Sequence, residues 1–233
     1  MWFANRQEAG QRLATELVRF ADRNPVVLAL PRGGVPVAFE IAMKLNASLD
    51  VVLVRKIGHP SMPELAVGAI ADGEPLERVI DEQSVAELGV SRAYLDREIA
   101  RQGREIEHRR RLYLKGRSPI DIRHRIALVV DDGIATGATM RAALRSVRRR
   151  APDRIVLAVP VAPASALDSL GPEADEIVCL SSPEEFGAVG AFYADFRPVE
   201  DEVVVDMLHR AATIAAKRSL REAPVATKES ERH

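Results

Sequence analysis

The sequence predicts an α/β protein with a mainly parallel central sheet, helices on both of its faces and a small additional hood. Hydrophobic residues make up 47% of the chain and aromatic residues only 4%, so the core must be aliphatic, which suits a parallel sheet covered by helices. Short apolar runs also alternate with segments of helical periodicity. A length of 233 residues fits one large domain or one domain with appendages. We expect a single domain over residues 1–221 and a polar tail over 222–233.

A helix followed by a strand–turn–helix–strand unit is predicted at the N-terminus. Residues 5–21 have apolar side chains at helical spacing, with Asn5 as a suitable N-cap. Residues 25–30 are a continuous apolar run typical of a buried strand, and residues 50–56, DVVLVRK, predict a second buried strand. Residues 35–46 have the pattern of a helix between them. This order is the seed of a parallel sheet.

The segment over residues 57–118 is less regular and is interpreted as an insertion or a flexible segment. Within it, residues 67–80 resemble a hairpin with its turn at Asp72 and Gly73. Residues 91–114 predict a long helix, and the rest of its surface is charged. Because of that charge, we expect its one apolar face to need a partner surface, such as a second copy of the chain. The apolar face consists of Leu95, Ile99, Ile106 and Tyr113.

The alternation of strands and helices resumes in the C-terminal half. Between its last strand and its last helix, residues 181–199 have no clear period and concentrate aromatic side chains. This stretch is the predicted hood. The predicted strands cover residues 125–130, 154–163 and 176–180, and the predicted helices cover 141–150, 164–170 and 200–218.

A loop that follows a predicted strand in the C-terminal half has the composition of an anion site. The sequence VVDDGIATGAT covers residues 129–139. Backbone N–H groups converge in a small-residue loop that leads into a helix, and the helix N-terminus adds positive potential. Gly133 and Gly137 let the backbone approach a phosphate closely, and Thr136 and Thr139 add hydroxyl donors. A phosphate monoester fits this loop, and a strand-to-helix turn that is merely rich in small residues is the alternative interpretation.

Two adjacent carboxylates, Asp131 and Asp132, open this loop. They would repel a bare phosphate, so we expect them to face another part of the ligand. Vicinal hydroxyls of a sugar would donate hydrogen bonds to them, and a divalent cation would also fit because hard cations take oxygen ligands. A sugar with a phosphate at one end and a diol in the middle fits both features.

Residues 129–139 closely resemble the phosphoribosyl-diphosphate (PRPP) signature of type I phosphoribosyltransferases. The resemblance implies the fold of that family and covers roughly Pro25 to Val205 in the order of elements. It also implies that Asp131 and Asp132 hold the ribose hydroxyls. The residues that it assigns to the 5′-phosphate are Gly133, Ile134, Ala135, Thr136, Gly137, Ala138 and Thr139.

Two further segments match the diphosphate-binding parts of that family. In the sequence PRGG after the first strand, Arg32 can pair with diphosphate oxygens, and Gly33 and Gly34 can turn their N–H groups toward them. Related enzymes often have a non-proline cis peptide here. Arg55 and Lys56 end the second predicted strand and can balance the charge of the leaving group. A plain turn with an exposed arginine and a solvated basic pair are the alternative interpretations.

The resemblance also implies a reaction. A base nitrogen attacks C1 of the ribose while diphosphate leaves with Mg²⁺, through a transition state with oxocarbenium character. Positioning and electrostatic stabilisation carry the rate, and Asp131, Asp132 and Lys56 are the candidate catalytic residues. The two aspartates are also the candidate Mg²⁺ ligands, directly or through water. The expected substrates are PRPP and a nitrogenous base, with a purine among the options.

The acceptor base is the least defined part of this prediction. Hypoxanthine–guanine enzymes of the family usually have Asp at the position of Ala135, so the usual handling of a 6-oxopurine is disfavoured and the obvious general base is missing. Glu64 is a candidate compensating carboxylate. Phe192 and Tyr193 in the hood can stack on a flat heterocycle, with core packing as the alternative.

Charge and hydropathy limit the other partners. A net charge of −1 gives no global field toward nucleic acid or membrane. No apolar run approaches membrane-spanning length and the N-terminus lacks a secretory hydrophobic region, so we expect a cytoplasmic protein without membrane partners.

Residues 101–125 are strongly basic, which fits a solvated helix face or a nucleic-acid patch. Since some members of the family bind RNA, the alternative function is a regulatory protein that senses PRPP or a nucleotide and binds RNA or a protein partner. Members are commonly dimers, so a homodimer is expected.

Overall fold

The structure is a computed structural model that describes residues 2–63, 65–73 and 75–222. Its strands are β1 (Val26–Ala29), β2 (Ser48–Val51), β3 (Val54–Gly58), β4 (Ala66–Ala71), β5 (Glu77–Ile80), β6 (Ile126–Val130), β7 (Arg154–Val161) and β8 (Glu176–Ser181). Its helices are α1 (Arg6–Leu17), α2 (Gly34–Leu45), α3 (Glu82–Glu87), α4 (Arg92–Leu114), α5 (Ala138–Arg149), α6 (Ala164–Leu170) and α7 (Asp201–Glu222).

The central sheet is parallel throughout its five strands, in the order β2-β1-β6-β7-β8. Leu28 in β1 lies between Asp50 in β2 and Val129 in β6. Beyond the strand ends, Leu30 N donates to Val130 O over 2.9 Å. This register places the loop after β1 directly beside the loop after β6, because carboxyl ends of parallel strands meet at one edge of the sheet.

Helices cover both faces of this sheet, as the sequence predicts. Leu13 of α1, Ile41 of α2 and Leu208 of α7 belong to the core on one face. Leu144 of α5 and Leu170 of α6 belong to the core on the other face. Most core side chains on both faces are aliphatic, which agrees with the low aromatic content.

The prediction of one buried strand over residues 50–56 is wrong. The chain leaves the parallel sheet after Val51, and Leu53 N instead donates to the carboxylate of Asp72 over 3.2 Å. From Val54 onward the chain forms β3, which pairs antiparallel with β4, and β4 pairs antiparallel with β5. The apolar residues 51–54 hide this break, because they lead from one sheet into the other without a turn residue such as Gly or Pro.

The predicted insertion over residues 57–118 consists largely of regular elements. The hairpin is present as β4 and β5, and the long helix is present as α4, with the Ser91 side chain accepting from Tyr94 N. Helix α3 was not predicted, although Asp81 accepts from Ser84 N in the manner of an N-cap. The apolar face of α4 belongs to the core of the same chain. It therefore gives no reason for a second copy, and the homodimer stays a prediction.

The two ends of the chain agree with the sequence in part. Asn5 caps α1 by accepting from Glu8 N over 2.9 Å. Helix α7 reaches Glu222, four residues beyond its predicted end, and the rest of the predicted tail lies outside the described residues. Within the ranges that the structure describes, no helix combines the length and the hydropathy needed to cross a bilayer.

Candidate active site

The loop between β6 and α5 is bonded to β7 on one side and exposed to solvent on the other. Ile134 N donates to Val161 O over 3.0 Å, which ties the loop to β7. Gly137 precedes the first turn of α5 with φ of +82°, a conformation that favours glycine. The side chains of Thr136 and Thr139 are exposed. Residues 133–139, the phosphate loop, thus present small side chains and a helix N-terminus to solvent, as an anion site requires.

The two aspartates lie side by side at the end of β6 and are largely buried. Asp131 Oδ1 accepts from Asp132 N over 2.8 Å. Burial, together with the neighbouring Asp132 charge, raises the pKa of Asp131 well above its ordinary value. Burial also raises the pKa of Asp132, while the charge of Arg6 opposes that rise. Two acceptor groups at such proximity favour donors or cations as ligands.

The PRGG loop (residues 31–34) packs directly against these aspartates. A Cβ placed on Gly33 would lie 2.0 Å from Asp132 Oδ2, and one on Gly34 would lie 2.8 Å from Val130 O. The expected non-proline cis peptide is present between Pro31 and Arg32. Because Gly33 and Gly34 have no side chains, the PRGG loop can contact the carboxylates of Asp131 and Asp132 directly.

The two predicted diphosphate arginines are engaged by different helices. Arg32 Nη1 lies 3.8 Å from Glu200 Oε2 and 3.9 Å from Asp201 Oδ1, at the start of α7. Arg55 Nε donates to Gln102 Oε1 of α4 over 2.9 Å. Burial, with nearby Arg109, lowers the pKa of Arg55. Arg32 is thus adjacent to the aspartates through its loop, whereas Arg55 is directed to α4.

Lys56 lies on the other side of β3 from Arg55, since successive residues of a strand face opposite ways. It is exposed and lines a groove of about 710 Å³ together with Thr136 and Thr139 of the phosphate loop. Gly68, Val79 and Ile80 of the β4–β5 hairpin, in the same sheet as Lys56, also line this groove. The structure therefore places Lys56 on the same groove as the predicted 5′-phosphate loop, on the face of β3 opposite to Arg55.

The hood places its two predicted base-binding residues in different surroundings. Tyr193 is only 5% exposed, its ring lies 5.4 Å from that of Phe3, and its hydroxyl donates to Asp132 O over 2.5 Å. Phe192 is half-buried and stacks on Phe186 with ring centroids 5.3 Å apart. Trp2, which is 69% exposed, lies beside Phe192. Tyr193 thus supports the aspartate segment, and stacking of either ring on a base stays a prediction.

Arg6 is a site residue that the sequence reasoning missed. Its Nε donates to Asp132 Oδ2 over 2.7 Å and its Nη1 donates to Arg197 O over 2.9 Å. Its guanidinium carbon also lies 3.8 Å from the centroid of the Phe196 ring. A cation in the first turn of a helix is unfavourable to the helix dipole. That position was the one signal that Arg6 has a partner elsewhere.

The general base and the metal ligands are the two remaining parts of the predicted site. Glu64, the candidate general base, lies outside the described residues. Among the residues that are described, no cluster of three or more His, Cys, Asp or Glu side chains could hold a metal ion by itself. The adjacent oxygens of Asp131 and Asp132 fit Mg²⁺ as a partial ligand set, because this ion usually combines one or two carboxylates with substrate oxygens and water.

Several arginines of the basic stretch over residues 101–125 are paired with nearby carboxylates. Arg101 pairs with Glu98 over 2.6 Å and Arg109 pairs with Glu105 over 2.7 Å, both within α4. Such pairs three or four residues apart are typical of a solvated helix face. This arrangement favours the first of the two interpretations of the stretch.

The sequence model of the phosphoribosyl transferase domain matches residues 4–197. The chain belongs to this family. A Mycobacterium tuberculosis protein (strain CDC 1551 / Oshkosh) with the provisional name phosphoribosyl transferase is 45% identical over 209 residues, which are 90% of this chain and 47% of that protein. The chain thus spans about half the length of the curated relatives it matches.

Solved structures similar to this chain include one close match and more distant ones. A crystal structure of a protein from Thermus thermophilus is 45% identical with a TM-score of 0.76, covering 90% of this chain and 99% of that chain. A purine phosphoribosyltransferase from Pyrococcus horikoshii matches at 16% identity and a TM-score of 0.45, covering 82% of this chain and 90% of that chain. The second match is too distant to bear on the acceptor.

Proposed function

We propose that this domain transfers the 5-phosphoribosyl group of PRPP to a nitrogenous base and releases diphosphate. One observation carries the proposal: Gly33 and Gly34 bring the PRGG loop into contact with Asp131 and Asp132. The phosphate loop begins at the next residue. A diphosphate, a ribose diol and a 5′-phosphate are joined in this order in PRPP, so one ligand spans the three features.

Each feature has a separate task in this proposal. The backbone N–H groups of residues 133–139, apart from that of Ile134, which donates to Val161 O, bind the 5′-phosphate at the N-terminus of α5. Lys56 lines the same groove. Asp131 and Asp132 accept hydrogen bonds from the ribose hydroxyls and favour the positive charge that develops at C1. Arg32 pairs with the departing diphosphate. For this, its guanidinium moves from the carboxylates of Glu200 and Asp201 to the phosphate oxygens. Arg55 stays a predicted diphosphate ligand that must first leave Gln102.

Mg²⁺ is the expected cofactor of this reaction. When bound, it would neutralise charge on the diphosphate and so improve the leaving group. Asp131 and Asp132 would hold it directly or through water. The remaining ligands would come from the donor itself, in keeping with the pair of carboxylates that the site offers.

The acceptor is proposed to lie under the hood. Ala135 is exposed at the phosphate loop and gives the base no carboxylate partner. Phe192, with Trp2 beside it, offers an aromatic surface on which a planar heterocycle would stack. A purine is one option among such bases. We also propose a homodimer in the cytoplasm, as is common in the family.

Transfer is tested by incubating the protein with PRPP, Mg²⁺ and a panel of purine and pyrimidine bases and measuring diphosphate release. We expect release that depends on one class of base and is lost in Asp132→Asn. The exposed Asp96→Asn serves as the matched control and should retain activity. PRPP binding without any base-dependent release would contradict the transfer reaction.

A regulatory RNA-binding role is the second candidate, but the ion pairs within α4 do not favour it. Filter binding of structured RNA at several salt concentrations tests this role. Affinity that falls steeply with salt would support it, and an absent or salt-insensitive signal would contradict it.

A further inference from the structure

Arg6 is fixed at three points rather than resting on the surface. The Arg6 and Asp132 side chains are only 11% and 13% exposed, and their ion pair is 2.7 Å long. The Arg197 carbonyl and the Phe196 ring hold the rest of the guanidinium group. Because three groups hold the Arg6 guanidinium, its orientation is fixed. The guanidinium in turn fixes the orientation of the Asp132 carboxylate that it binds.

The contacts of Asp132 show which of its oxygens is constrained. Oδ2 accepts from Arg6 Nε and faces the α-carbon of Gly33. The backbone carbonyl of the same residue accepts from the Tyr193 hydroxyl. Both the side chain and the main chain of Asp132 are therefore held from the N-terminal helix and the hood.

The N-terminal segment and the hood form one unit behind the aspartates. Phe3 N donates to Phe192 O over 2.9 Å, and Ala194 N donates to Phe3 O over 2.8 Å. Arg6 follows this pairing by three residues, at the first position of α1. The unit thus carries Arg6 to Asp132 from a part of the chain that is distant in sequence.

We infer that Arg6 is a positioning residue for ribose recognition: it fixes one oxygen of the Asp132 carboxylate so that the group presents the other to the sugar diol. This inference rests on the proposed function, because it takes the diol as the ligand of Asp132. Arg6 also supplies the counter-charge without which two adjacent, largely buried carboxylates would repel each other. Its effect is therefore on sugar binding, and it leaves the phosphate loop unchanged.

The inference is tested by comparing ribose 5-phosphate with 2-deoxyribose 5-phosphate by calorimetry. The two probes share the phosphate, and the second lacks one hydroxyl of the diol. The variants are Arg6→Met, which keeps an unbranched side chain against Phe196, and Arg6→Lys, which keeps the charge. Arg12→Met is the matched control, because Arg12 also lies in α1 over an aromatic ring and pairs with Glu8.

The wild-type protein should prefer ribose 5-phosphate, and Arg6→Met should lower that affinity about tenfold, as expected for a lost hydrogen bond to a charged group. The affinity for 2-deoxyribose 5-phosphate should change less, so the ratio of the two affinities should fall toward one in Arg6→Met. Arg6→Lys should show an intermediate ratio, and Arg12→Met should show the wild-type ratio. Thermal melting of each variant separates this effect from loss of folding.

Three outcomes would overturn the inference. An unchanged preference in Arg6→Met would mean that Arg6 does not orient Asp132. Tighter binding of ribose 5-phosphate by that variant would make Arg6 a competitor of the sugar. A wild-type protein that binds neither sugar phosphate would refute the proposed function, and the role of Arg6 with it.

Discussion

The α-carbon of Gly33 lies against the carboxylate of Asp132, so closely that a Cβ there would be 2.0 Å from Oδ2. The backbone of Gly33 has φ of −59° and ψ of −36°, which any residue can adopt. Glycine is therefore required at this position by the neighbouring carboxylate and not by the backbone conformation. This contact joins two loops whose residues are about a hundred positions apart in the sequence.

Gly33→Ala should weaken ribose 5-phosphate binding by about tenfold or more, because the methyl group must displace Asp132 or the PRGG loop from its place. Calorimetric titration measures the loss. Gly171→Ala is the control, since a Cβ at Gly171 meets nothing within 4 Å. Equal affinities for Gly33→Ala and the wild-type protein would argue against contact between sugar and Asp132.

Gly137→Ala should both destabilise the protein and weaken phosphate binding. With φ of +82° at Gly137, any side chain costs about 1 kcal/mol or more. Gly116→Ala is the matched control, since its φ is +81° and its Cβ would meet open space. Both alanine variants should lose stability in urea unfolding, but only Gly137→Ala should lose affinity for ribose 5-phosphate.

Tyr193→Phe should lower ribose 5-phosphate affinity about fivefold, because Asp132 O loses its hydroxyl donor while the packed ring remains. Tyr94→Phe removes a comparable bond, from the Tyr94 hydroxyl to Gly58 O over 2.8 Å, away from the aspartates. It should leave sugar binding unchanged. If both variants bind alike, the hydroxyl of Tyr193 has no part in holding the site.

Asp50→Asn should change how stability depends on pH. Asp50 is 4% exposed, and burial raises its pKa above the ordinary value of 3.8 despite hydrogen bonds from Ile120 N and Val51 N. Between those two pKa values the folded state holds more protons than the unfolded state. The contribution of this group to the unfolding free energy therefore falls as the pH rises through that window, and it is constant above it.

The measurement is urea unfolding of the wild-type protein and Asp50→Asn at pH steps from about 4 to 7. The stability of the wild-type protein relative to the variant should decline as the pH rises. Asp96→Asn, at an exposed position of α4, is measured in parallel as a surface control. A relative stability that increased with pH would mean that the folded state favours the charged form of Asp50.

Local patterns predicted much of the fold. The order of helices and parallel strands, the Asn5 cap, the β4–β5 hairpin and the long α4 all follow from periodicity and turn residues within short windows. The break in the predicted strand after Val51 does not follow from these patterns, because the apolar residues 51–54 fit a strand of either sheet. The apolar face of α4 indicated that a partner surface was needed, with a second copy as one option, and the structure shows that the chain's own core covers it.

The sequence by itself determined the family and the chemical character of the phosphate loop, since residues 129–139 are consecutive and their backbone and side chains act locally. Tertiary structure alone decided the close approach of Gly33 to Asp132, the contact of Arg55 with Gln102 of α4, and the pairing of Arg6 with a carboxylate 126 positions away. Such contacts depend on how elements pack, and no local pattern of residues encodes which distant side chain will meet a given carboxylate.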